Sequence, residues 1–341
     1  MQKWEWIGAA ILVLLLAGIG YEQVGRRHDR KRYRQIGRSV DIGGRTLNLY
    51  CSGEGTPAVI FETFGHTAGY SWSTVQPQVA AFTRACWYDR ANYGWSDPGP
   101  IPVTYQSTAR DLHQLLRAAG VPAPYVMTGA GEAALEIRVF HGVYPQEVAG
   151  VVLVNGIDVD DPNREVPDFA KGAWAKHFGR WAPYFRGAAC EAYPAASAFG
   201  MVRLFWEFQG SRATPEYGLP VDQRAELDFL SDNPTAERGG GACGREKGME
   251  QVRAAGGLGD LPLIVLASGE RFSAPATAEA REVADFNSDF IGRMQPGLAR
   301  LSTRGRLQVL EDRPGPAVIT SAVRTVVEQS RTLLRPNGEH Q

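Results

Sequence analysis

Between residues 57 and 154 the chain alternates short apolar runs with stretches of helical periodicity, and that rhythm leaves few folds open. Pro57 to Glu62 is a continuous apolar run. Trp72 to Phe82 reads as a helix, Arg84 to Tyr88 as a strand, and Tyr105 to Ala119 as a helix with Leu112, Leu115 and Leu116 on one face. Tyr125 to Thr128, Glu132 to Tyr144 and Val148 to Val154 continue as strand, helix and strand. Unbroken apolar strands belong in a sheet covered on both faces, and strands joined by helices predict parallel pairing with right-handed crossovers. The expected class is therefore α/β: a mostly parallel twisted sheet with helices on both faces. Ser39 to Asp41 and Thr46 to Cys51 precede it, alternating like strands about a Gly43-Gly44 turn. The sheet resumes at Leu261 to Ala267 and at Leu307 to Glu311, with a closing helix from Ala317 to Leu333.

The alternation breaks near Asp158. Residues 159–256 carry many aromatics, among them Trp174, Phe178, Trp181, Tyr184 and Phe205, and read as an inserted helical cap or lid. The expected organisation is an anchor over 1–23, a basic linker over 24–37, a core in two parts over 38–158 and 257–335 around the cap, and a tail over 336–341. With 341 residues and 44% hydrophobic composition the chain can bury one large core. A net charge of -1 supplies no general attraction to nucleic acid.

The N-terminus differs from the rest. No charge occurs from Trp6 to Tyr21, and Arg26, Arg27, Arg30, Lys31, Arg32, Arg34 and Arg38 follow. This uncharged run, extended by its flanks, approaches the ~20 residues that a transmembrane helix needs. No small-x-small cleavage site follows it, so an anchor is expected rather than a removed signal. The implied place is a bacterial-type inner membrane, crossed once. The basic flank puts the main domain on the cytoplasmic side. Cysteines pull the other way: Cys190 and Cys243 could staple the cap outside the cytoplasm, while Cys51, Cys86 and these two read equally well as buried thiols. No Cys-x-x-Cys pair or Cys/His cluster suggests zinc, and no cofactor is expected.

One turn carries the functional question. Val126-Met127-Thr128-Gly129-Ala130-Gly131-Glu132-Ala133 enters as a strand and leaves as a helix. A G-x-S-x-G nucleophile elbow has that shape, with a serine at the strained tip. Here Gly131 occupies the serine's slot, and glycine has no atom with which to attack a carbonyl. Glycine also relieves the strain of about 1–3 kcal/mol that a left-handed nucleophile carries.

Tyr88-Asp89-Arg90-Ala91-Asn92-Tyr93-Gly94-Trp95-Ser96-Asp97-Pro98, Leu49-Tyr50-Cys51-Ser52-Gly53, Ser71-Trp72 and Tyr144-Pro145 frame this turn. Over residues 36–335 the chain resembles the alpha/beta-hydrolase superfamily, in particular bacterial members with a single N-terminal membrane helix. Asn92 stands where that loop has a glycine, and Asn tolerates left-handed geometry. The resemblance implies a Ser-His-acid relay with an oxyanion hole, and the chain departs from it at each part. The nucleophile slot is Gly131. The base is expected within Asp312-Arg313-Pro314-Gly315-Pro316, where Gly315 marks a slot without histidine; His340 lies in the tail. The acid falls at Asn155 or, after the strand ending near Ala267, at Glu270. The oxyanion loop reads Glu62-Thr63-Phe64-Gly65-His66, with bulky Phe64 where close approach is wanted. The expected pocket is Phe64, Gly65, His66, Ala130, Gly131 and Glu132.

Losing the serine or the histidine of such a relay lowers turnover by about a millionfold. The favoured expectation is a membrane-anchored pseudoenzyme that binds a small apolar ligand or a protein partner. One alternative is an esterase-like hydrolase acting on small apolar esters through His66 and Glu132; against it, Glu132 reads as a helix-start carboxylate and His66 as a loop residue. Another is an unrecognised serine nucleophile, although Ser71, Ser73 and Ser96 lack the elbow context. Asp158 to Asn163 lacks the glycine and distal Glu of a calcium loop and reads as a solvated cap entrance. His113 and His141 read as helix packing or surface residues.

Overall fold

A computed structural model of the full chain describes residues 2–63, 67–99, 103–158, 195–201, 203–204, 240–269 and 280–335. Eight strands form one sheet: β1 (Arg38–Asp41), β2 (Thr46–Ser52), β3 (Ala58–Glu62), β4 (Ala85–Tyr88), β5 (Tyr125–Ala130), β6 (Val148–Val154), β7 (Leu263–Ser268) and β8 (Gly305–Leu310). Their order is β1-β2-β4-β3-β5-β6-β7-β8. β1 and β2 pair antiparallel with each other, β2 pairs antiparallel with β4, and all remaining pairs are parallel.

The central strands are what their composition demands. Every residue of β3, β4, β5 and β6 is buried, so both faces must be covered. One face carries α3 (Tyr105–Ala118), α4 (Ala133–Val143) and α5 (Gly240–Ala255), whose Leu112, Leu116, Phe140 and Val252 join the core beneath. On the other lie α2 (Gln76–Ala80) and the closing helix, which inserts Ile319, Val323, Val326 and Val327. That helical spacing places one apolar stripe on the sheet. Each such buried Val or Ile contributes on the order of 1.5–3 kcal/mol. α5 lies within the stretch expected as cap, yet its Val252 is fully buried in the core.

Other features also differ from the sequence expectation. The helix expected over Trp72 to Phe82 is a 3₁₀ turn (Gly69–Trp72) and a short α2, because Trp72 turns inward and donates its indole N–H to Glu62 O at 3.0 Å. Helix α6 (Ala280–Asp289), a π turn (Phe290–Met294) and α7 (Gln295–Ala299) precede β8. Cys51 and Cys86, opposed in the β2/β4 register, form a disulfide rather than free thiols.

Helix α1 (Gln2–Arg32) continues unbroken through the basic stretch expected as a linker. Its segment Trp4–Asp29 is long and apolar enough to cross a membrane by length and composition, and almost none of it is buried. The closing helix, α8, spans Pro316–Leu334.

Candidate functional site

In a parallel sheet the loops at the carboxyl ends of the strands converge where the strand order reverses, here around β3 and β5. Gly131 stands directly after β5 with φ +55°, the left-handed geometry of an elbow tip. Its N–H donates to Val154 O at 3.0 Å, and its carbonyl accepts from Ile157 N at 3.0 Å. Two residues earlier, a Cβ on Gly129 would meet Ala133 Cβ at 2.7 Å and Ile137 Cδ1 at 2.8 Å. The first glycine lets α4 approach the strand and the second turns the chain.

Glu132 is the N-cap of α4, where exposed amides favour a carboxylate. Its Oε1 accepts from Tyr105 Oη at 2.6 Å. Asn155, also left-handed at φ +49°, accepts from Ser268 N at 2.8 Å and Ser268 Oγ at 2.9 Å. Its side chain thus ties the ends of β6 and β7 together. Gly315 caps α8 in extended geometry, with open space where a Cβ would stand.

Behind the elbow lies a buried charge network that sequence reasoning missed. The register places Glu62, the last residue of β3, beside Gly129. Glu62 accepts from Tyr88 Oη at 2.6 Å and from Thr63 N at 3.2 Å. Arg90 Nη1 donates to Glu136 Oε1 from the other side, and Glu136 Oε2 has no hydrogen-bond partner among the described residues. Glu62, Glu136 and Arg90 are all buried. Burial raises the Glu136 carboxyl well above the usual range; Arg90 opposes this, while Glu62 and Glu132 add to it. Burial also raises the Tyr88 phenol, with Glu62 and Glu136 reinforcing it. Burial works against the Arg90 cation, but Glu136, Tyr93 and Glu62 hold its pKa above the ordinary value.

The loop after β4 is structural. Asp89 is buried and accepts from Gly69 N, Asn48 Nδ2 and Trp95 N at 2.8, 2.9 and 3.0 Å. Burial raises its pKa, and these bonds counter the rise. Asn92 adopts φ +74°, the left-handed geometry expected of it. His113 Nδ1 lies 3.0 Å from Glu147 and its ring stacks on Tyr144, whereas His141 is half-buried, with burial lowering its pKa. Asp158 pairs with Arg138 at 3.0 Å.

No family model matches the chain. Among curated proteins, the "Probable transporter efuK" of Hormonema carpetanum is 30% identical over 124 residues, which are 34% of this chain and 18% of that protein. An uncharacterized vacuolar membrane protein of Saccharomyces cerevisiae is 30% identical over 102 residues, 29% of this chain and 16% of its own length. The matched stretch thus spans under a fifth of either protein. Among solved structures, Cfl2 from Burkholderia cenocepacia superposes with TM-score 0.57 at 18% identity, covering 89% of this chain and 97% of that one. The epoxide hydrolase CorEH gives 0.56 at 15% identity, covering 86% and 96%. A bromoperoxidase from Bacillus anthracis gives 0.52 at 15% identity, covering 87% and 98%. The chain has the alpha/beta-hydrolase fold.

Within that fold, the sequence-derived positions divide clearly. Ala130 ends β5 and Gly131 and Glu132 turn the chain into α4, with Asn155 at the neighbouring strand end and Gly315 before α8. Phe64, Gly65, His66 and Glu270 lie outside the described residues, as do His340 and most of the expected cap. Among the described residues no group of three or more His, Cys, Asp and Glu is arranged to hold a metal. A cleft of about 520 Å³, lined by Arg38, Tyr50, Glu54, Arg84 and Val121 among others, opens at the opposite, amino end of the parallel strands. A signal for the missed network was present: Glu136 and Arg138 interrupt an otherwise apolar helix, and Glu62 ends an otherwise apolar strand. Charges in such positions need buried partners.

Proposed function

We propose that this protein is a membrane-anchored pseudoenzyme whose alpha/beta-hydrolase scaffold binds a small apolar ligand or a protein partner without serine-type turnover. One observation carries the reading: Gly131 sits at the elbow tip with the elbow's backbone geometry and no side chain. The neighbouring slots support it. Asn155 is a neutral amide already bonded twice to Ser268, and Gly315 offers no base. Glu132, the carboxylate of the esterase-like alternative, is bonded to Tyr105.

Membrane anchoring rests on α1 and is supported by the vacuolar-membrane relative. We place the domain on an oxidising side of a bacterial-type inner membrane, against the positive-inside count. The ground is the Cys51–Cys86 bond, since disulfides are rare in reducing compartments. Large domains are also moved across membranes with little regard to flanking charge.

The test uses the full chain in detergent, with a fluorophosphonate probe and a short-chain ester. Neither the wild type nor Gly131→Ser is expected to label or turn over, because a serine without a base stays protonated. Adding Gly315→His to Gly131→Ser supplies a base in open space and is the variant in which activity is expected to begin. Labelling of the wild-type chain overturns the proposal.

A further inference from the structure

Residues 195–201 and 203–204 pack against the carboxyl half of α1. A Cβ on Gly18 would meet Phe199 O at 2.3 Å, and one on Gly25 would meet the Arg203 side chain at Nε at 2.5 Å, so small residues let the backbone touch at Gly18 and the Arg203 guanidinium lie against the helix at Gly25. Gly200 (φ +71°) lies against Tyr21 and the Gly18 carbonyl. Arg203 then clasps the helix: Nε donates to Glu22 at 3.0 Å and Nη1 pairs with Asp29 at 2.8 Å. Arg26 takes the second Glu22 oxygen at 2.7 Å, and Glu22 is fully buried. Two guanidiniums and two carboxylates make a neutral clasp at the end of the uncharged run.

We propose that this clasped segment and α1 form one lipid-facing surface, with Met201 and Leu204 entering the boundary between headgroups and acyl chains. The inference rests on reading α1 as a membrane helix. The uncharged run from Trp6 to Tyr21 is ~24 Å long at 1.5 Å per residue, less than the ~30 Å of a bilayer's hydrocarbon. The bilayer boundary therefore falls near its ends, where Trp4, Trp6 and Tyr21 supply the aromatic residues favoured at that depth. Gly200 touches Tyr21 and Arg203 touches Glu22, so the segment sits at that level. There Met201 is 62% and Leu204 48% exposed, one turn apart, on a segment packed against a helix whose own apolar residues, Leu12, Leu14 and Leu16 among them, are exposed. Exposed Arg27, Lys31 and Arg32 follow on the helix, with exposed Arg34 just past its end, and suit anionic headgroups.

The experiment uses the full chain in vesicles of phosphatidylcholine and phosphatidylglycerol. A benzophenone-bearing amino acid replaces, one at a time, Leu12, Met201, Leu204 and Val309, the last being exposed on β8. Irradiation is expected to give lipid adducts at the first three positions and none at Val309. Arg203→Gln is expected to cut the adducts at Met201 and Leu204 several-fold while leaving Leu12 unchanged. Adducts at Leu12 without adducts at Met201 or Leu204 overturn this proposal and leave the anchor standing. Absence at Leu12 overturns the anchor itself. The adducts at Met201 and Leu204 need no change in the clasp, so a misfolded Arg203→Gln variant does not blunt the test.

Discussion

Glu136→Gln is the perturbation that reads the buried network most directly. If Glu136 holds a proton, glutamine copies its neutral shape, and the exchange of one neutral hydrogen bond for another changes stability by about 1 kcal/mol or less near pH 4. The pH dependence carries the larger signal. In the unfolded chain a glutamate releases its proton at about pH 4.3, whereas the folded-state pKa of Glu136 is raised by burial. Above that pH the folded state binds more protons than the unfolded one, so wild-type stability falls as pH rises towards the folded pKa. The glutamine variant has no such slope at this site. Its advantage over wild type should therefore grow by about 1.4 kcal/mol per pH unit from about pH 5 upward, until the folded pKa is reached. Asp89, whose pKa is also raised, is common to both chains and cancels in the difference. Urea denaturation of both full-length proteins in detergent, followed by tryptophan fluorescence, measures it. Arg90→Met is the companion, expected to cost about 3–5 kcal/mol because it leaves a buried carboxylate without its cation. A constant difference between Glu136→Gln and wild type across that range, with a loss of several kcal/mol, would mean that Glu136 is an ionised partner of Arg90 throughout and would refute the raised carboxyl.

Further outcomes follow from the geometry, those on stability measurable by the same denaturation. Gly131→Ala should cost about 1–3 kcal/mol for placing a side chain at φ +55°, while Gly315→Ala, extended and in open space, should stay within about 0.5 kcal/mol of wild type. Asn155→Ala should cost about 2–3 kcal/mol, because it removes both bonds from the buried Ser268. Replacing Cys51 and Cys86 together by alanine should cost about 4 kcal/mol, from the 35-residue separation that the bond closes. If the cell keeps the domain on a reducing side, alkylation without a reductant will modify Cys51 and Cys86.

The sheet was legible because its signal is local. Four fully buried strands read as continuous apolar runs, and α3 read from Leu112, Leu115 and Leu116 on one face. The elbow was legible for the same reason: two glycines and the strand–helix change of period lie within a few residues. What stayed hidden depends on register. Glu62 and Glu136 lie far apart in sequence and meet only because β3 pairs with β5 and α4 folds back over the pair. Cys51 and Cys86 are joined only by the β2/β4 register. Four cysteines allow three pairings, and spacing alone does not choose among them. Helix α1 was expected to end before its basic stretch, because the reading used hydropathy. Charge does not stop a helix, and the pairing of Glu22 and Asp29 with Arg203 accommodates the charges in this one.

Under the proposed function, the backbone shows how the scaffold can persist with glycine at the tip. Gly129 is required by the approach of α4 to β5, and Gly131 satisfies the turn at φ +55°, so the elbow is held by packing rather than by its chemistry. The serine of such a turn is the one residue whose removal stabilises the backbone. The network behind it has the opposite character. Tyr88 bonds Glu62 and Arg90 bonds Glu136 in a buried place where an apolar set of similar volume would do as well or better for stability. They lie at the carboxyl end of the sheet, behind an elbow tip without a side chain, and under the proposed function they form a fixed polar floor beneath the site, whose titratable carboxyl Glu136→Gln replaces by an amide of the same shape. A bound partner that senses the floor should lose affinity in Glu136→Gln at a pH where folding is unaffected; equal affinity would assign the network to the fold alone.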